Sequence, residues 1–298
     1  MKPTVVIAYA PFGDYQIEQE ILQRLGGEIR YFTETHSPEA QAAMQTADAV
    51  MVTVQPVRAD LIGKLERCKL ICRVGTGLDS IDLDAAAQGG IWVTYVPDYS
   101  IDEVSTHAIS LLLAQARGIP QLIASTREGK WDNTSGGIVY RLNEQTLGLL
   151  GCGRIGQAVA RKGKGLGLRV IAHDPYMDEQ TLRGAGVEPV DFDTLLTESD
   201  FITLHSPLTE ANRHIINAAS LAKMKSTAYL INTARGPLID EDALLQAVRA
   251  GQIAGAALDV LTVEPPSPDN PLLHEPHIFV TPHTAWYSEA AKVDVRVR

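Results

Sequence analysis

The chain has 298 residues, 45% of them hydrophobic and 21% charged, which fits a folded globular protein with room for two domains and excludes a disordered one. Its formal net charge is −10 and it holds no basic run, so nucleic acid is excluded as a main partner, because binding phosphates needs a basic face. Nothing approaches the roughly eighteen apolar residues of a membrane span, and the apolar run in MKPTVVIAYA is too short for a secretory signal, so a cytoplasmic protein is expected.

From residue 4 to residue 96, apolar runs alternate with amphipathic segments. The runs are TVVIAYA, GEIRYF, ADAVMVT, LICRV and IWVTYV; between them lie residues 17–25, a polar segment turning Ala-rich, residues 61–65 and residues 81–87. Such β/α alternation predicts a parallel sheet covered by helices. Gly13, after the first run, reads as a lone turn glycine. Residues 72–82, CRVGTGLDSID, end a buried strand in a glycine turn and open a helix at Ser80 or Asp82. From Ser100, SIDEVSTHAISLLLAQAR predicts a strong helix, with Ser100 and Glu103 as a capping box. His107 falls on its apolar face and reads as a packed core histidine. Residues 119–145 show little periodicity; a subunit-contact arm and a plain surface excursion both fit. The three cysteines, Cys68, Cys72 and Cys152, form no C-x-x-C pair, so they read as small buried residues; neither a disulfide framework nor a metal site is expected.

The segment TLGLLGCGRIGQAVARKGKGLGLRVIAHD then gives strand, glycine turn, helix and second strand in under thirty residues. Gly151 permits a tight turn, Gly153 lets the backbone approach a pyrophosphate, and Gly156 lets helix and strand pack closely, so that amides at the helix N-terminus face the anion. Asp174 ends the second strand about twenty residues after the glycines, where a carboxylate can take ribose hydroxyls. Beyond it, FITLH, AYLINTA, AGAALDV and HIFVTPH predict further strands, each ending in a polar cluster, with residues 241–250 as one of the intervening helices. Open α/β sheets hold ligands at the C-terminal ends of their strands, so His205, residues 233–235, residues 259–264 and His283 are expected on one edge.

Arg235, Glu264 and His283 stand out there, spaced 29 and 19 residues apart. A planar cation, a titratable imidazole and a carboxylate on one edge can hold an anionic group and exchange a proton with a bound molecule. Arg235 offers a planar charged fork, His283 an acid or base, and Glu264 a partner that favours the imidazolium and fixes the ring.

With these residues, RVGTGLDSIDLDAAA, LLGCGRIGQAVA, NTARGPLID and GAALDV, nearly the whole chain resembles the D-isomer specific 2-hydroxyacid dehydrogenase family. Within it, HTAWYSEA is similar to the branch of the C-terminal binding protein corepressors and their bacterial dehydrogenase relatives. The resemblance implies an NAD-dependent oxidoreductase acting on a D-2-hydroxy acid or 2-keto acid, with Arg235, Glu264 and His283 catalytic; the alternative is an NAD(H)-sensing dimeric scaffold. It also implies cofactor contacts at Gly151, Gly153, Arg154, Ile155, Gly156, Asp174, Ser206, Thr233, Ala234, Asp259, His283 and Trp286. Arg73, Val74, Gly75, Thr76 and Gly77, with Arg235 and Trp286, match positions that hold the substrate. The implied fold is α/β, with two doubly wound parallel-sheet domains. Residues 1–99, joined by a C-terminal helix over 286–298, form a flavodoxin-like substrate domain; residues 100–285 form a Rossmann NAD-binding domain. If a helix begins near Thr284, Trp286 lies about one turn along from His283. A homodimer joined through the latter is expected, with no direct contact to nucleic acid or membrane. The chain stops at Arg298, where the family usually continues for about another helix; a truncated chain and a partly ordered one both fit.

Overall fold

The computed structural model describes residues 2–8, 12, 14–34 and 37–298. Gly13, expected as a turn glycine, and the tail of the first apolar run at Tyr9 and Ala10 lie outside them. The chain divides into two units, one of Met1–Tyr99 with Ser288–Arg298 and one of Ser100–Tyr287.

In the first unit the apolar runs become the parallel strands β1 (Thr4–Ile7), β2 (Glu28–Tyr31), β3 (Ala49–Val52), β4 (Leu70–Arg73) and β5 (Trp92–Tyr95), ordered β2-β1-β3-β4-β5. That is the flavodoxin order. The amphipathic segments form α1 (Gln16–Arg24), α2 (Pro38–Gln45), α3 (Ala59–Ile62) and α4 (Leu83–Gln88). Local chemistry sets their starts. Ser37 accepts from the Ala40 amide ahead of Pro38, and Asp82 accepts from the Ala85 amide, so of the two expected helix starts it is Asp82 that caps. Val6, Met44 and Ile71 are fully buried in this unit's core.

The second unit opens with α5 (Ile101–Ala116) and α6 (Ile119–Arg127) and then builds a seven-stranded sheet. Its strands are β6 (Thr146–Leu150), β7 (Arg169–His173), β8 (Glu188–Pro189), β9 (Phe201–Leu204), β10 (Tyr229–Asn232), β11 (Gly255–Leu258) and β12 (Ile278–Val280). All run parallel in the order β12-β11-β10-β9-β6-β7-β8, a Rossmann sheet extended by β12, with the chain reversing direction across the sheet between β6 and β9. The helices α7 (Arg154–Gly165), α8 (Glu179–Gly184), α9 (Phe192–Glu198), α10 (Ala218–Leu221) and α11 (Glu241–Arg249) lie between the strands in sequence. Strands β6, β9 and β11 are buried at every residue, which is why they read as unbroken apolar runs rather than as alternating ones. No helix of the described residues is long and apolar enough to cross a membrane.

Several local expectations need correction. Ser100 occupies the N-cap of α5, yet its side chain makes no capping hydrogen bond. Residues 119–145 do contain a helix, α6, which buries none of its residues and so leaves no apolar periodicity to read. Cys72 is only partly buried, unlike Cys68 and Cys152. The last helix, α12 (Glu289–Val297), starts five residues later than Thr284, with Ser288 accepting from the Ala291 amide. It returns to the first unit. There Arg296, its side chain only 3% exposed, pairs with Glu18 of α1 through Nε and Nη2 at 2.8 and 2.6 Å.

Candidate active site

The glycine turn after β6 is shaped by close approach. Gly151 has φ +90, and a Cβ there would lie 2.7 Å from the Ser206 amide nitrogen at the end of β9. A Cβ on Gly156 would come within 2.5 Å of the Gly151 carbonyl oxygen, so only glycine lets the first turn of α7 sit against the loop. Gly153, at the N-cap of α7, has nothing within 4 Å of its Cβ position, which leaves open space beside the helix N-terminus. Arg154 and Ile155 follow as the first helical residues, Arg154 exposed. Asp174 ties the turn to the second strand, accepting from the Cys152 amide at 2.7 Å and from the Tyr176 amide at 3.0 Å. Burial, followed by the Asp174 charge, pushes the Cys152 thiol up to about 11, so it stays a neutral packing group.

Two buried hydroxyls, Ser206 Oγ and Thr233 Oγ1, have no hydrogen-bond partner among the described residues. They follow β9 and β10, at the C-terminal edge beside the reversal of strand order. Buried polar atoms are rarely left unpaired, and these two sit where open α/β sheets hold their ligands. Desolvation brings His205, next to Ser206, down to about 3; it stays a neutral imidazole 3.0 Å from Thr203 Oγ1.

At the end of β10, Asn232 is fully buried, donates through Nδ2 to the Arg235 carbonyl at 2.8 Å and accepts from the Ala234 amide at 2.9 Å. It shapes the 233–235 turn, a role that its place at the end of an apolar strand did not reveal. Arg235 lies close enough to Glu264 to act on its charge. Glu264 in turn accepts from His283 Nδ1 at 2.5 Å through Oε2 and from the Leu261 amide at 2.8 Å through Oε1. Burial alone would raise the Glu264 carboxyl. The hydrogen bond and charge of His283, the Leu261 amide and the Arg235 guanidinium outweigh it and hold the carboxyl below the usual range. Glu264 and His283 thus come together as expected from the strand ends, with the Arg235 charge felt at Glu264.

His283 itself has φ +50, the left-handed region that a β-carbon disfavours. Its amide donates to the Asp259 carbonyl at 2.8 Å, while the Asp259 carboxylate accepts from the Thr281 hydroxyl and the Thr284 and Ala285 amides. His107 Nε2 lies 3.1 Å from Thr281 Oγ1, so this histidine belongs to a polar network rather than to simple core packing. Trp286 is half-buried and meets Tyr287 edge-on, ring centroids 5.6 Å apart. In the first unit, the Arg73 guanidinium folds around its own loop, donating to the Val74 carbonyl at 2.5 Å and the Gly77 carbonyl at 3.0 Å. Gly75 has φ +145, and a Cβ there would run into Arg73; the Thr76 hydroxyl donates to the Val96 carbonyl.

Residues 109–285 match the D-isomer specific 2-hydroxyacid dehydrogenase, NAD binding domain. The chain belongs to the D-isomer specific 2-hydroxyacid dehydrogenase family. It is 39% identical over 291 residues to D-3-phosphoglycerate dehydrogenase of Archaeoglobus fulgidus, covering 97% of this chain and 55% of that protein. This chain therefore spans about half the length of that relative. It is 44% identical over 238 residues to hydroxypyruvate reductase of Thermotoga maritima, covering 78% of this chain and 76% of the other. Among solved structures, D-lactate dehydrogenase from Aquifex aeolicus, complexed with NAD and lactic acid, superposes with a TM-score of 0.89 at 32% identity. That match covers 98% of this chain and 92% of the other. These comparisons bring nothing specific to the corepressor branch that HTAWYSEA resembles.

Proposed function

We propose that this family member is an NAD-dependent oxidoreductase transferring hydride between NAD(H) and a D-2-hydroxy acid or its 2-keto acid. The observation that carries the reading is the pairing of His283 Nδ1 with Glu264 Oε2 at 2.5 Å, with Arg235 near enough to act on the same carboxylate. A carboxylate can only accept, so Nδ1 keeps its hydrogen and Nε2 is left to hold or receive the proton that is exchanged. In reduction His283 gives that proton to the developing alkoxide; in oxidation it takes it from the hydroxyl. Arg235 takes the substrate carboxylate. Within the first unit, Arg73 braces the loop of Val74, Gly75, Thr76 and Gly77, whose amides are a proposed contact for an anion.

Bound at the edge described, the nicotinamide supplies or accepts the hydride. Gly151, Gly153, Arg154, Ile155 and Gly156 would take the pyrophosphate at the start of α7, Asp174 the ribose, and Ser206, Thr233 and Ala234 the remaining polar groups; the two orphaned hydroxyls fit that use. Trp286 serves as a wall for cofactor and substrate. We take the protein to be cytoplasmic. A homodimer joined through the NAD-binding unit accords with the apolar side chains left on α6 and the segment after it, among them Ile123, Ile138 and a Trp131 that is 95% exposed. The second reading, an NAD(H)-sensing scaffold like the corepressors, is not favoured by the comparisons.

A panel of 2-keto acids offered with NADH and with NADPH, followed by nicotinamide absorbance, tests the proposal. Turnover of at least one acid is expected, and His283→Ala is expected to lose roughly a hundredfold or more of the rate while still binding NADH. No oxidation of either cofactor by any acid would return the scaffold to first place.

A further inference from the structure

We infer that His107, Thr281 and Asp259 form a one-way hydrogen-bond chain that holds the backbone of His283 in place, making His107 a positioning residue for proton transfer. The inference rests on the reading of His283 as the acid and base. The direction follows from counting hydrogens. The Thr284 and Ala285 amides can only donate, at 2.9 and 2.8 Å, so both Asp259 oxygens accept. The Thr281 hydroxyl, 2.5 Å from Oδ1, therefore gives its single hydrogen to the same carboxylate. With that hydrogen spent, Thr281 Oγ1 can only accept from His107, 3.1 Å away, so the proton of His107 sits on Nε2.

The chain brackets the strained residue. Thr281 precedes His283 by two positions, Thr284 and Ala285 follow it directly, and the His283 amide itself donates to the Asp259 carbonyl at 2.8 Å. Left-handed backbone at a non-glycine persists only where its surroundings over-determine it. Here Asp259, 1% exposed at the end of β11, fixes the backbone, while Glu264 fixes the ring. Freeing either anchor lets the imidazole depart from the geometry that proton transfer needs. His107 supplies the outermost hydrogen from α5, and its Nε2 also lies 3.5 Å from Asp259 Oδ1.

The test compares Thr281→Val, which keeps the shape and loses the hydroxyl, with Thr281→Ser, which keeps both donor and acceptor. Thr281→Val is expected to lower kcat by about tenfold or more with the NADH dissociation constant within about threefold of the parent, and Thr281→Ser to recover most of the loss. His107→Leu is expected to act like Thr281→Val, and His107→Gln, which retains an N–H, to be milder. Nitrogen NMR of the histidine-labelled parent protein is expected to show His107 as the Nε2–H tautomer, and Thr281→Val to shift the His283 ring nitrogens. An Nδ1–H tautomer at His107, or a Thr281→Val enzyme with parental kcat, overturns the chain, as does a serine variant no better than valine. His283→Ala separates the two ideas. If that variant is inactive and Thr281→Val is not impaired, the chain alone fails; if His283→Ala stays active, the reading of His283 fails, and the tautomer still decides the chain. The tautomer is measured on the parent, so it stands even where a variant does not fold.

Discussion

Replacing Glu264 by Gln changes one atom and breaks the pairing with His283 in a way the geometry makes specific. Glu264 accepts twice, from Leu261 through Oε1 and from His283 through Oε2. An amide has only one oxygen, so it can serve one of them. If it keeps Leu261, its NH₂ faces His283 Nδ1 and the imidazole must carry its hydrogen on Nε2 in the neutral form. If it flips to serve His283, the NH₂ opposes the Leu261 amide. A hydrogen bond to a charged group contributes about 1.5–3 kcal/mol. The two side chains are 37% and 33% exposed, so water screens the pair and the lower figure applies, a loss of roughly tenfold in kcat/KM. The pH dependence carries a sign as well. Because the Glu264 carboxyl is held below the usual range, its charge is intact above the ordinary carboxylate value and is lost only as pH falls through the lowered one. It therefore stays constant across an assay from about pH 5 to about pH 9, and any limb seen there belongs to another group. A neutral amide cannot hold the ring as the carboxylate does, so Glu264→Gln is expected to lower the reductive rate across that whole range. Rates measured with a fixed keto acid and saturating NADH check this. An unchanged rate with an unchanged profile refutes the pairing.

Asp174 is expected to make NADH the preferred cofactor, because its carboxylate repels a 2′-phosphate and Pro175, Tyr176 and Met177 offer no arginine to receive one. Asp174→Ala is expected to narrow the preference by about tenfold or more in kcat/KM, part of it through the Cys152 amide it releases; equal efficiency with NADPH in the parent sinks the assignment. For Trp286, Ala is expected to raise KM for a bulky apolar keto acid by more than for pyruvate, with thermal stability nearly kept. Equal losses for both acids together with a large fall in melting temperature assign the indole to packing against Tyr287 instead.

Much of the sheet architecture could be read because buried parallel strands leave continuous apolar runs, and those of β6, β9 and β11 are buried at every residue. The candidate site was legible for a related reason. Arg235, Glu264 and His283 each follow a strand, and a parallel sheet brings such positions to one edge. What stayed hidden depends on partners far apart in sequence. His107 sits at helical spacing among apolar residues, and nothing local signals that its partner Thr281 lies 174 positions on. Asn232 is likewise the last residue of an apolar strand, and only the folded turn shows its side chain serving both Ala234 and Arg235. Helix α6 escaped because it has no buried face, and β8 because two residues at a sheet edge carry no period.

The segment HTAWYSEA marks where local propensity and tertiary structure part. Nothing in Thr284, Ala285 or Trp286 forbids a helix, and the opening amides of a helix always need outside acceptors. Those acceptors exist here, since Asp259 takes the amides of Thr284 and Ala285, but they are fixed at the end of another strand and hold the chain for a single turn, closed by the Tyr287 amide on the Thr284 carbonyl. The helix is deferred until Ser288 can cap it. The same carboxylate that delays the helix leaves His283 at φ +50 with its ring against Glu264. A continuous helix from Thr284 would satisfy the local rules better, so the departure from them falls at the residue that carries the proposed chemistry, where strain in a folded chain is most often retained.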